Sequence, residues 1–206
     1  MNKITIKNGW SSITYREFEE LTQILSADIP EDYRVVNVIS ILTGLTIEEI
    51  EALPVTTFQR FLPHIEFLKT MPEEAKHKDE YEINGRKYIL CAYVPMITTA
   101  QYLDYTNYMK EEKDVVKLTS CFLIPEGHDY NDGYNMEQVW NDIYDMNFND
   151  VRAMAFFLQI QYAALMGISA DSLRKQMKKL KMKKKQIREA TAPLNSMVSS
   201  LLSSKS

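Results

Sequence analysis

Up to about residue 70, apolar side chains recur at intervals of three and four, the spacing of one face of a helix. In "TYREFEELTQIL" the residues Phe18, Leu21 and Leu25 share a face, and Thr14 with Glu17 three positions later makes a capping-box pattern. "PEDYRVVNVISILTG" opens on a proline suited to a helix start, turns Val35, Val38, Ile39 and Leu42 inward, and stops at Gly44. "TIEEIEALP" repeats the capping pattern with Thr46 and Glu49 before Pro54. "VTTFQRFLPHIEFLKTMP" predicts a further amphipathic helix through Phe58, Phe61, Leu62, Ile65 and Leu68, kinked at Pro63. The N-terminal "KITIKNG" alternates and reads as a short strand or extended arm.

The period then changes. In "EYEINGRKYILCAYV" the pair Asn84-Gly85 separates two β-prone runs, the strongest short-range signal for a hairpin. Helical spacing returns in "TAQYLDYTNYMKEE" and "KDVVKLTSCFLIP", is broken by the polar "EGHDYNDGYN" (126–135), and resumes in "MEQVWNDIYDM" and "FNDVRAMAFFLQIQYAALMG". The expected fold is α+β and predominantly helical, a central β-hairpin with packed helices. The expected organisation is a body over 1–170, with lobes 1–72 and 80–168, and a basic helical extension over 171–206.

That extension carries its own pattern. Starting from a cap at Ser169 or Asp171, Leu173, Met177, Leu180 and Ile187 follow spacings of 4, 3 and 7 that leave Lys184 on the seam, a heptad-like stripe suited to packing along another helix. Leu194, Val198 and Leu201 continue the register, and Pro193 is expected to divide it into two helices. Every other direction around the stripe is filled by Lys and Arg.

Composition changes the picture only through charge. A chain of 206 residues with 45% hydrophobic and 25% charged positions is ordinary for a globular protein, and 6 Gly and 7 Pro leave no room for extended linkers. The formal charge of −4, however, is unevenly spread. Residues 174–206 hold ten basic groups against the single acid Glu189, a net of +9, which leaves −13 on residues 1–173. Such an electrostatic dipole favours head-to-tail contact between copies, or docking of the basic pole on a polyanion. Lys178, Lys181 and Lys185 are the groups expected to face such a partner.

Nucleic acid is one candidate partner, because each phosphate neutralised releases counterions. The segment lacks interleaved aromatics, which disfavours base stacking. A membrane-surface helix needs Trp or Phe and a broader apolar face, so no membrane is expected as partner. "AMAFFLQIQYAALMGI" is too short to span a bilayer and is interrupted by two Gln. "MNKITIKNGW" has no apolar core of the length a signal peptide requires. Cys91 and Cys121, each among apolar neighbours, read as buried thiols in a reducing compartment.

Candidate chemistry is sparse. The 126–135 segment brings Glu126, His128, Asp129 and Asp132 close in sequence, but its glycine falls one place too early for a calcium loop and the closing Glu is missing. A polar turn explains it better. His64, His77 and His128 are dispersed, with no CxxC or HExxH spacing, and no GxSxG, GxxxxGK[ST] or GxGxxG occurs. No catalytic, metal-binding or cofactor-binding residue is therefore assigned. Tyr102, Tyr105 and Tyr108, at three-residue intervals, fit a buried helix face better than an interface.

The succession "LTGLTIEEIEALP", "YEINGRKYILC", "ITTAQYLDY", "CFLIPEGHDYNDGYN" and "VRAMAFFLQI" resembles small virion or assembly proteins of tailed bacteriophages, of the crAss-like type that infects gut Bacteroidota. The resemblance covers about residues 14–165. It implies a non-enzymatic tail, capsid-associated or packaged cargo protein, made in the host cytoplasm and residing in the virion. Its partners would be other phage structural proteins or copies of itself, with the genome as a further contact of the basic helix. A tail-assembly chaperone and a small nucleic-acid-binding regulator are the alternatives.

Overall fold

The computed structural model describes residues 4–70, 72, 74–93, 96–111 and 114–165. The expectations for 171–206 lie outside the described residues. Those that are described form two compact units, divided after Pro72. The fold is α+β and predominantly helical, with a three-stranded antiparallel sheet.

In the first unit, α1 spans Tyr15–Ser26, α2 Glu31–Thr43, α3 Ile47–Glu51 and α4 Val55–Phe61. Both capping boxes are formed: the Thr14 and Thr46 hydroxyls accept from the backbone N–H of Glu17 and Glu49, whose carboxylates accept in return. The "RVVNVISI" core of α2 is rich in β-branched residues, which cost at most about 0.7 kcal/mol each in a helix. Val35, Val38, Ile39 and Leu42 are all buried at 1% exposure or less. Burying each such side chain contributes about 2 kcal/mol, so the core face decides the conformation against local propensity. Gly44 ends α2 at φ 72°, a left-handed geometry that a side chain resists.

One expectation for this unit is corrected. The helix predicted through Pro63 is two elements: α4 stops at Phe61, and a 3-10 helix continues over Leu62–Lys69. Proline has no N–H to donate and its ring crowds the preceding turn, so the α-helical ladder ends there. Leu62, Ile65 and Leu68 lie three residues apart, the period of a 3-10 helix, and all three are buried. Of the two readings of residues 4–8, the extended arm is the one formed; the Lys7 N–H donates to the Leu42 carbonyl at 3.0 Å. The Lys7 ammonium reaches both carboxylate oxygens of Glu17, at 2.5 and 2.7 Å, so one acid holds both the arm and the α1 cap.

In the second unit the hairpin pairs β1 (Glu80–Ile83) with β2 (Arg86–Leu90). Asn84 at φ 51° and Gly85 at φ 73° make a turn with two positive φ angles, which matches the twist of the flanking strands. Tyr81 and Tyr88 are register partners and both are buried. Lys87, on the opposite face, bridges Glu80 at 3.0 Å and Glu126 at 2.7 Å.

α5 spans Thr99–Glu111 and α6 Val115–Ser120, followed by β3 (Leu123–Pro125), α7 (Met136–Asp145) and α8 (Phe148–Leu165). The third strand is a correction, because "KDVVKLTSCFLIP" reads as one helix. Six residues of it are helical; Leu123 and Ile124 then pair with Leu90 and Ile89 of β2. A short apolar run has no period of its own, and Pro125 prevents a helix from continuing past it. Ala92, Tyr105, Cys121, Phe122 and Leu158 form a buried cluster where the sheet end meets α5, α6 and α8.

Candidate interaction surface

Asp142, on the buried face of α7 between Val139, Ile143 and Met146, accepts hydrogen bonds from several side chains. It is 1% exposed, and a charge so placed costs several kcal/mol unless it is satisfied. Donors from the hairpin satisfy it. Asn84 Nδ2 donates at 2.9 Å, Arg86 Nη1 reaches both carboxylate oxygens at 3.0 and 2.9 Å, and the Tyr88 hydroxyl donates from the middle of β2. Gln138 Nε2, one turn earlier on α7, adds a bond at 3.1 Å.

Burial alone pushes the Asp142 carboxyl upward, but the hydrogen bonds from Tyr88, Asn84 and Arg86, with the Arg86 charge, hold it below the usual carboxylate range. Burial, and then Asp142 itself, push the Tyr88 phenol well above its ordinary value. Near neutrality the acid therefore stays ionised and the phenol stays protonated. The bonds join the hairpin to α7.

The polar 126–135 segment is pinned at both ends. The Glu126 N–H donates to the Lys87 carbonyl at 2.9 Å, and the Asn135 side chain caps α7. Between them the Tyr130 hydroxyl donates to Asp104 of α5 at 2.7 Å. Asp132 accepts from the Asp129 N–H at 2.6 Å and lies 3.8 Å from His128 Nδ1. No group of three or more His, Cys, Asp or Glu side chains suited to a metal ion occurs among the described residues.

Of the three spaced tyrosines, Tyr105 is buried against Phe122, while Tyr102 and Tyr108 are only partly covered. Cys121 is fully buried, its thiol pushed up to about 12 chiefly by burial. The expectation that both thiols are buried fails for Cys91, which is exposed. The strand alternation explains this: Tyr88 and Ala92 turn inward, so Cys91 and Tyr93 turn outward.

Two features of the second unit remain open to a partner. A groove of about 300 Å³ runs beside β1, and its lining includes Glu80, Glu82, Asp145 and Asp150 with Lys78, which pairs with Asp150 at 2.9 Å. Large apolar side chains are also exposed: Tyr93 and Met96 after β2, Leu103 on α5, and Phe156 and Ile160 one turn apart on α8. α8 is apolar nearly all round, since its inner face carries Val151, Met154 and Leu158 at 3% exposure or less. A helix of that kind is ordinarily covered on both sides. In the first unit Tyr33, Ile47 and Val55 are exposed. No described helix is long and apolar enough to cross a membrane.

The packing stripe Leu173, Met177, Leu180 and Ile187, and the basic groups Lys178, Lys181 and Lys185, lie outside the described residues. Asp142 was missed in the sequence, although its signal was there. It lies in the 139–142–143–146 face of an amphipathic helix, where a carboxylate needs a partner of its own. No family model matches the chain, and no curated protein and no solved structure matches it.

Proposed function

We propose that the protein is a non-enzymatic component of bacteriophage particles, tail- or capsid-associated or packaged as cargo, that acts through protein–protein contacts. The observation that carries the reading is the charge separation, −13 on residues 1–173 against +9 on residues 174–206. A molecule so divided is suited to meeting different partners at its two ends. The exposed apolar residues of α5 and α8 and the acidic lining beside β1 add contact surface to the acidic part. The basic part, with its stripe of Leu173, Met177, Leu180 and Ile187, supplies a seam for a neighbouring chain and lysines for an acidic surface or the genome.

Mass spectrometry of purified particles tests the proposal. A virion component is recovered in many copies per particle. Recovery from infected cells but not from mature particles would overturn it in favour of an assembly chaperone. Absence from particles together with salt-sensitive binding of the free protein to DNA would replace it by a nucleic-acid-binding regulator.

A further inference from the structure

We draw no further inference here: the strongest candidate, the exposed apolar face of α8 that carries Phe156 and Ile160, has nothing in the structure to show what covers it.

Discussion

Asp142 ties α7 to the hairpin, because its buried carboxylate is satisfied by donors from the turn and β2. Arg86 and Tyr88, two residues apart on one face of β2, and Asn84 in the turn before them reach it together. Asp142→Ala leaves the Tyr88 hydroxyl buried without its acceptor, whereas the half-exposed Arg86 turns to water. The expected loss is about 3 kcal/mol, read by denaturant unfolding with Trp140 fluorescence in a Trp10→Phe background. The sign with pH follows from the lowered carboxyl. Its contribution is complete above the ordinary value of 3.8 and is lost as pH falls through the lower folded value. Asp142→Asn should flatten that acid limb; an unchanged pH profile would assign the acid sensitivity to other carboxylates. The two thiols give a second test at this scale. Cys91 should react with a thiol reagent in the native protein, and Cys121 only after unfolding.

Among the elements, those with a signal of their own were legible in the sequence. The boxes at Thr14 and Thr46, the stop at Gly44 and the Asn84-Gly85 turn all carry local chemistry that fixes a boundary. Thr14→Ala should cost about 1 kcal/mol in the unfolding of the first unit. It removes one acceptor while leaving Glu17 to Lys7. Gly85→Ala should also cost about 1 kcal/mol, since open space surrounds the position and only its φ of 73° resists a side chain. A variant as stable as the parent would mean that the turn relaxes to another geometry.

Elements that depend on distant partners were not legible. β3 exists because Leu90 and Ile89 offer an edge, and nothing within "CFLIP" announces that pairing. The break at Phe61 had a visible cause in Pro63, and the Leu62–Ile65–Leu68 spacing of three separates a 3-10 helix from a kinked α-helix. The exposure of Cys91 was hidden because "YILCAYV" is apolar on both strand faces. The charge separation is legible in the sequence, because it is a property of composition. The groove beside β1 and the exposed positions of α8 come only from the packing.

At the scale of the molecule, one asymmetry stands out: residues 1–173 carry −13 and residues 174–206 carry +9. If the two poles serve different partners, removing one should uncouple the protein from its assembly without unfolding the rest. The most direct measurement is the copy number of the protein in purified particles, determined by quantitative mass spectrometry for the full chain and for a chain lacking residues 171–206. The account predicts that the full chain is present in many copies, and that the shortened chain, still folded by its helical circular dichroism, falls at least tenfold. Equal incorporation of both chains, with genome content unchanged, would contradict it.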